Sequence, residues 1–369
     1  GAVDGFTMCS VFGTLSLIEI AAVLGADVDL GLLAAVTGRD ALEILDELAL
    51  DTSAIDVEGT RARFVGAART QILAAVPPSR RAHIEAAAVR VLMSGDPAAE
   101  VLGRHLDAAG SALPDRERAE ALVALGESLL RERDIASARE AFMRAAAAAR
   151  TSGHAVALAH AALGLGTGQV GFEVQAVDRA QLGLLDEALD ALGGDHAKLT
   201  ALLTARKSIA LTFVSPAPER VDLARAALSA APDPATRASA LAALCDAQAG
   251  PAHHSVRLEM TTEIVMLAHQ AADHRLELLG HRMLLVAQAE AGDFAAVDHT
   301  VRDYAALVST MREPLYAWYV PLWRAARAVL DGRLDDCRRL LDTATRQGAK
   351  SVKSFEIMPQ PPLSRAAST

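Results

Sequence analysis

Aromatic residues are scarce in this sequence, and their scarcity limits the choice of fold. They make up 4% of the chain although 51% of it is hydrophobic, so alanine and leucine carry most of the apolar content. Alanine and leucine have the highest helix propensities, whereas aromatic residues favour strands. The composition therefore predicts an all-α protein.

Basic charge, paired cysteines and long apolar runs are also lacking. The net charge is -10, which gives the whole chain no electrostatic footprint for nucleic acid. Cys9, Cys245 and Cys337 are odd in number and far apart, as expected of a cytoplasmic protein without disulfides. No signal-peptide pattern and no uncharged apolar run of about 18 residues occurs. We therefore predict a cytoplasmic protein with no membrane partner.

Motifs for nucleotide binding and catalysis are missing as well. No Gly-x-x-x-x-Gly-Lys-Ser/Thr phosphate loop occurs, and no Ser-His-Asp, paired-carboxylate or reactive-cysteine constellation stands out. Gly166-x-Gly168-x-x-Gly171 matches a dinucleotide fingerprint by letter, but that fingerprint requires a preceding strand. An alanine-rich helix precedes it here, so we interpret it as an inter-helix loop. We predict no cofactor and no enzymatic activity in this chain.

A group of histidines lies in the second half of the chain, but its spacing does not indicate a metal site. A zinc site favours an i, i+4 pair with carboxylate or cysteine ligands nearby. We interpret these histidines as solvated or hydrogen-bonded, and we predict no metal: His253, His254, His269, His274 and His281.

Residues 119–147 resemble a tetratricopeptide repeat, a pair of antiparallel helices in a 34-residue pattern. Gly126 is the small residue that lets the two helices approach, and Ala138, Phe142 and Ala145 follow at the spacings of the second helix. The closing proline of the pattern is absent, since Arg150 stands near that position. The alternative is an ordinary alanine-rich amphipathic helical hairpin that is not a tetratricopeptide repeat.

The pattern of the second helix of this repeat recurs twice, which favours a tetratricopeptide repeat over an ordinary helical hairpin. Gly292 with Phe294 opens one copy, and Gly332 with Leu334 opens another. Together with more degenerate segments these predict a solenoid of about six hairpins with a concave face.

The only strand signal in the chain lies near its beginning. Residues 53–57 and 61–65 flank the turn Glu58-Gly59-Thr60, which predicts one β-hairpin. Three short helices precede it, the third over 40–50 with Leu42, Leu45, Leu48 and Leu50 directed inward, and this order predicts a winged helix. Four arginines against ten acidic residues in 14–76 argue against DNA binding: Arg39, Arg61, Arg63 and Arg69.

These patterns predict five segments along the chain. They are an N-terminal remnant (1–13), a winged-helix module (14–76), connecting helices (77–114), a tetratricopeptide-like repeat array (115–350) and a disordered tail (351–369).

All tyrosines and tryptophans of the chain lie between residues 304 and 323. On one helix, Tyr316, Tyr319 and Trp323 share a stripe, whereas Trp318 points elsewhere. Such a stripe is often the core between repeats. The sharper hypothesis is a ligand or partner pocket on the concave face, with a polar rim supplied by Arg312, Glu313 and Arg324.

Several stretches resemble the large ATP-binding LuxR-type regulators of the MalT-like, STAND class. They are the winged-helix stretch 17–30, residues 63–65, the run 77–83, residues 163–171 and 313–319, and residues 330–334. Two family histidines are replaced here, by Gly66 after the wing strand and by Glu85. The phosphate loop and the C-terminal DNA-binding helix-turn-helix of the family are missing, so we expect a fragment of a longer regulator.

The resemblance implies a sensor segment in which an inducer or a partner protein binds the repeats and the winged helix relays the signal. ATP would be bound only by a nucleotide-binding module outside this chain. Direct nucleic-acid binding is not expected, and self-association is left open. The alternative is a free-standing interaction scaffold without a nucleotide partner, and a third reading is an enzyme built on the helical array.

Overall fold

The computed structural model describes residues 15–50, 53–166, 177–311 and 314–351. The chain divides into two compact units, Gly1–Leu165 and Gly166–Thr369. The predicted N-terminal remnant lies outside the described residues, as does the predicted tail beyond Ser351. The predicted segment boundaries stay predictions.

The first unit begins with three short helices, each started by a side-chain cap. They are α1 (Leu17–Leu24), α2 (Leu30–Thr37) and α3 (Ala41–Ala49). Ser16 and Glu19 form a reciprocal capping box at α1, and Asp29 and Asp40 accept backbone N–H groups at the starts of α2 and α3. These caps satisfy N–H groups that have no partner inside the helix. The start of each of the three helices is therefore determined by residues next to it in the sequence.

A small antiparallel sheet completes this N-terminal module. Its strands are β1 (Asp27–Asp29), β2 (Ile55–Glu58) and β3 (Arg61–Phe64), in the order β1-β3-β2. The predicted hairpin of β2 and β3 is present, but the prediction of a single hairpin was incomplete. β1 has only three residues and pairs with β3 across 34 positions of sequence. No local sequence pattern therefore predicts this strand.

The core of the module consists of aliphatic side chains and Phe64, and it corrects one sequence prediction. Ile44 and Leu48 of α3 are buried in it, and Leu45 packs partly against it. Leu42 and Leu50, which were predicted to point inward, are 73% and 87% exposed. Each helical residue turns by about 100°, so residues on the opposite side from Ile44 and Leu48 face solvent.

Helices alone form the rest of the first unit over its described residues. They are α4 (Ala68–Ala75), α5 (Pro78–Leu92), α6 (Ala99–Ala109), α7 (Asp115–Arg131), α8 (Ile135–Ser152) and α9 (Ala155–Leu165), with a 3-10 turn at Gly110–Ala112. α7 and α8 are the predicted tetratricopeptide hairpin.

The Phe142 ring is the central contact of that hairpin, and Ala138 and Ala145 are buried on the same helix. The ring lies where a Cβ atom would stand on Gly126 of α7 and on Gly164 of α9, at 2.6 and 2.3 Å from the nearest ring atoms. Both helices therefore approach the ring more closely than any side chain permits. The role predicted for Gly126 is visible here, and Gly164 is a second such position that the repeat pattern did not indicate.

The second unit is helical throughout the residues that the structure describes. Its helices are α10 (Arg179–Leu192), α11 (Ala197–Ala210), α12 (Ala217–Ala230), α13 (Pro234–Ala247), α14 (His254–Gln270), α15 (His274–Glu290), α16 (Phe294–Thr310), α17 (Pro314–Ala317), α18 (Tyr319–Leu330) and α19 (Leu334–Ser351), with a 3-10 turn at Pro251–His253. Sequence neighbours pack as hairpins, and α11, α13 and α15 also contact one another in succession. The prediction of an all-α, tetratricopeptide-like fold with a small sheet is confirmed.

One turn recurs between helices, and it explains why the repeats could be aligned. Arg133, Ala272, Gly292 and Gly332 all have positive φ, at 68, 53, 74 and 73°. In each turn this residue donates its N–H to the carbonyl three residues back, and the next residue donates to the carbonyl five residues back. Three of these turns were predicted from the sequence. The turn at Ala272 was missed because alanine gives no signal for a conformation that glycine favours.

Candidate functional site

The tyrosines and tryptophans of the chain gather around Tyr304 on α16. Tyr304 is fully buried, and its ring makes edge-on contacts with Trp323 at 4.8 Å and with Tyr319 at 6.5 Å between centroids. Its hydroxyl donates a hydrogen bond to the backbone carbonyl of Tyr316 at 3.2 Å. Burial raises the pKa of the Tyr304 hydroxyl, so the group stays a neutral donor. This half of the cluster belongs to the core between helices.

The other half of the cluster is only partly buried. Tyr319 stacks on Trp323, with 5.5 Å between centroids and 26° between planes, and Trp318 lies 4.6 Å from Tyr319. The guanidinium of Arg282 on α15 sits over the Tyr319 ring at 4.7 Å from its centroid. Arg282, Trp318, Tyr319 and Trp323 are each of intermediate exposure, and we call these four residues the aromatic–arginine surface.

Arg282 is the residue that sequence reasoning missed. It lies on a different helix, 37 positions before Tyr319, and nothing in its own segment distinguishes it from the other arginines. It makes no hydrogen bond or ion pair with any residue that the structure describes. A guanidinium keeps its in-plane donors available when its flat face rests on an aromatic ring.

The predicted aromatic stripe gathers in one cluster, but the helix that carries it is interrupted. The single helix expected over these residues was wrong, because α17 ends at Ala317 and α18 begins at Tyr319. Pro321 lacks an N–H, and its ring would clash with the carbonyl of residue 317 in a continuous helix. Tyr316 is buried beside Tyr304, Tyr319 and Trp323 pack partly against them, and Trp318 contacts Tyr319.

Only part of the predicted polar rim lies within the described residues. Arg324 is exposed on α18, one residue after Trp323. Arg312 and Glu313 lie outside the described residues. The pocket itself, lined by Tyr316, Trp318, Tyr319 and Trp323, stays a prediction.

The glycine-rich fingerprint has a packing explanation at its first glycine. A Cβ atom on Gly166 would overlap the side-chain amide of Gln181. With that amide oriented to suit both neighbours, its oxygen accepts from Arg206 Nε at 2.9 Å and from the Gly166 N–H at 3.3 Å. Gly168 and Gly171 lie outside the described residues. Gly166 therefore leaves room for the side chain of Gln181.

The four arginines of the N-terminal module all have partners. Arg61 and Arg63 bind Asp27 at 2.7 and 3.3 Å, and Arg39 binds Glu47 at 2.7 Å. Arg69 donates to the Ala22 carbonyl at the end of α1. The hydrogen bond from Arg61 lowers the pKa of the Asp27 carboxyl below its ordinary value. This module therefore offers phosphate groups no uncommitted arginine among its described residues.

Charged groups on neighbouring helices of the second unit are also paired with one another. Arg220 near the start of α12 pairs with Asp246 at the end of α13, and Arg257 of α14 pairs with Glu290 of α15 at 2.7 Å. The arrangement recurs with reversed charges between Asp298 of α16 and Arg327 of α18, at 3.1 Å. These pairs join neighbouring helices, so we assign them to the scaffold rather than to a ligand.

The histidines and buried thiols show no catalytic or metal-binding arrangement among the described residues. His269 and His274 share Glu277, at 3.0 and 3.5 Å, and burial lowers the pKa of His281. Over that part of the chain, no three His, Cys, Asp or Glu side chains stand close enough to hold a metal. Burial raises the pKa of Cys245 to about 12, which keeps this thiol protonated and unreactive. None of the helices in the described ranges is long and apolar enough to cross a bilayer.

Comparison with solved structures gives a fold but no family. A Rap protein in complex with Competence and Sporulation Factor is similar at a TM-score of 0.52 and 12% identity, covering 90% of this chain and 88% of that chain. A STAND protein with a tetratricopeptide repeat sensor from Pyrococcus horikoshii matches at a TM-score of 0.45 and 9% identity, covering 95% of this chain and 66% of that chain. Searches with protein-family models and of curated proteins find no match. The first likeness shows that the chain has a tetratricopeptide-like helical repeat fold.

Proposed function

We propose that this chain is a sensor segment that binds a peptide or protein ligand at the aromatic–arginine surface. The observation that carries the proposal is the half-exposed stack of Arg282, Tyr319 and Trp323. Tryptophan, tyrosine and arginine are the side chains that contribute most to protein recognition, because they supply large rigid contact area with polar tips. The buried Tyr304 beneath them holds the stack in place.

The chemistry of the stack indicates the kind of ligand. The Arg282 guanidinium has uncommitted donors among the described residues, and α18 carries a second positive charge at the exposed Arg324. A guanidinium binds a carboxylate through two parallel hydrogen bonds, and the adjacent rings suit an apolar side chain. We therefore expect a ligand with a carboxylate next to an apolar group, as at the C-terminus of a peptide.

The proposed context is a longer ATP-dependent regulator, in which the N-terminal module relays the occupied state of the repeats. The resemblance of the sequence to STAND-class regulators supports this context, and the Rap fold, solved with a bound factor, supports ligand binding on such helices. A physical connection exists inside the first unit. Arg104 of α6 donates to the Leu24 carbonyl at the end of α1 at 2.9 Å, and the adjacent His105 pairs with buried Glu85 of α5.

Intrinsic fluorescence offers a direct test, since both tryptophans of the chain belong to this surface. We would screen a library of short peptides, each with a free or an amidated C-terminus, for a change in tryptophan emission and then measure affinity by calorimetry. We expect free carboxylates to bind preferentially. Arg282→Ala should weaken binding by about 1.5–3 kcal/mol, the contribution of a hydrogen bond to a charged group.

Arg225→Ala, on the exposed side of α12, is the matched control and should leave affinity unchanged. Equal affinity of Arg282→Ala and wild type, or a library without any emission change, would refute the surface as the ligand site. The alternative of a free-standing scaffold is tested separately, by reading the gene sequence upstream of this chain. A phosphate loop encoded upstream supports the regulator, whereas a translation start near Gly1 supports the scaffold.

A further inference from the structure

The outer side of α3 in the N-terminal module carries two leucines that nothing in the described structure covers. Leu42 is 73% and Leu50 is 87% exposed, whereas Ile44 and Leu48 on the other side of α3 are buried. The two exposed leucines lie two helical turns apart, about 12 Å along the axis. Exposed leucines are common singly, but two on one side of a short helix form an apolar contact surface.

Acidic side chains surround these leucines. At about 100° per residue, Leu42, Asp46, Leu50, Glu43 and Glu47 follow one another around an arc of about 140°. All five side chains are exposed. Arg39, the residue before the Asp40 cap of α3, is already paired with Glu47 at 2.7 Å. This outer side of α3, which we call the acidic–leucine face, is therefore both apolar and strongly negative.

The neighbouring sheet has the same sign of charge. In the register of the sheet, Arg63 of β3 stands between Asp27 of β1 and Asp56 of β2. Arg61 stands likewise between Asp29 and Glu58. Two arginines are thus enclosed by four acidic residues, so the sheet does not supply the positive potential that DNA requires.

We infer that the acidic–leucine face docks a cationic amphipathic helix of a partner protein. Such a helix would place leucines or similar side chains over Leu42 and Leu50 and lysines or arginines against Glu43, Asp46 and Glu47. Complementary charge fixes the orientation and accelerates association, and the covered leucines provide the apolar part of the interface. This face lies in the first unit and does not depend on the ligand surface of the second unit.

The probe is a synthetic helix of about 18 residues with leucines on one side and lysines on the other, used with the full chain. Its counterpart carries glutamates in place of the lysines, and a random DNA duplex is the third probe. Fluorescence anisotropy measures the affinity of each at low and at physiological salt. We expect only the lysine helix to bind, and to bind more weakly at physiological salt because exposed charges are then screened.

Two variants locate the binding. Leu42→Ser with Leu50→Ser removes the apolar part, and Glu43→Lys with Asp46→Lys reverses the charge. Each pair should weaken binding of the lysine helix by about tenfold or more, and the charge-reversed pair should gain affinity for the glutamate helix. This gain distinguishes a changed interface from a misfolded module. Leu330→Ser and Asp190→Lys, exposed positions of the second unit, are the controls and should bind as wild type does.

Three results would overturn the inference. They are an α3 variant that binds the lysine helix within about twofold of wild type, a control variant that loses as much affinity as the α3 variants, and a DNA duplex that, tested without the lysine helix, binds wild type but not the Leu42→Ser, Leu50→Ser variant.

Discussion

Gly126 and Gly164 provide a quantitative test of how the first repeat is packed. An alanine Cβ would lie 2.6 Å from Phe142 Cε1 at position 126, and 2.3 Å from Phe142 Cζ at position 164. Both distances are far inside van der Waals contact, so the ring must move or the helices must separate. Overpacking of this kind costs about 1–3 kcal/mol.

Helix propensity acts in the opposite direction. Alanine is favoured over glycine inside a helix by about 1 kcal/mol. The clash outweighs this gain over most of its range, so we expect Gly126→Ala and Gly164→Ala each to lower the free energy of unfolding by up to about 2 kcal/mol. Gly103→Ala on α6 is the matched control in the same unit, since its Cβ would lie 3.6 Å from Leu125, an ordinary contact. It should be neutral or stabilising by up to about 1 kcal/mol.

The decisive experiment is a double-mutant cycle with Phe142→Leu. Leucine lacks the Cζ, Cε1 and Cε2 atoms that a Cβ on Gly164 would meet. In the Phe142→Leu background Gly164→Ala should therefore become neutral or stabilising, which gives a coupling of about 1–3 kcal/mol between the two positions. The free energies come from urea unfolding followed by circular dichroism and from hydrogen exchange of the amides in α7, α8 and α9. Additive effects of the two substitutions would refute the packing argument.

Three further substitutions test other parts of the second unit. Tyr304→Phe removes the hydrogen bond to the Tyr316 carbonyl and should lower the free energy of unfolding by about 1 kcal/mol, measured by urea unfolding. Asp233 caps α13, and its hydrogen bond from the Thr236 N–H lowers its pKa below the ordinary 3.8. Asp233→Ala should therefore cost about 1 kcal/mol at neutral pH, and this difference should shrink as the pH falls through the lowered pKa, because only the charged cap is stabilised by folding. Ala272→Gly should raise the thermal midpoint through a gain of about 0.5–1 kcal/mol, since a residue at φ 53° pays a steric penalty that glycine does not; an unchanged or lower midpoint would contradict that strain.

The sequence by itself determined the elements whose signals are local. Helix starts at Ser16, Asp29 and Asp40, the β2–β3 hairpin, and the turns opened by Gly292 and Gly332 all rest on residues within a few positions of one another. Hydrogen bonds over three to five residues govern these features, so a short window of sequence contains their cause. The contact between Gly126 and Phe142 could also be predicted from the sequence, because the repeat pattern specifies which residues of two adjacent helices meet.

Tertiary structure alone decided which distant residues meet. Arg282 lies over Tyr319 because α15 and α18 both pack against the cluster around Tyr304, and β1 pairs with β3 across 34 positions. The helical period placed Leu42 on α3, but only the position of the core showed that it faces solvent. Burial and cross-helix contacts are sums over many elements, so a local pattern can suggest a cluster of aromatic residues without showing which of them are core and which are accessible to a ligand.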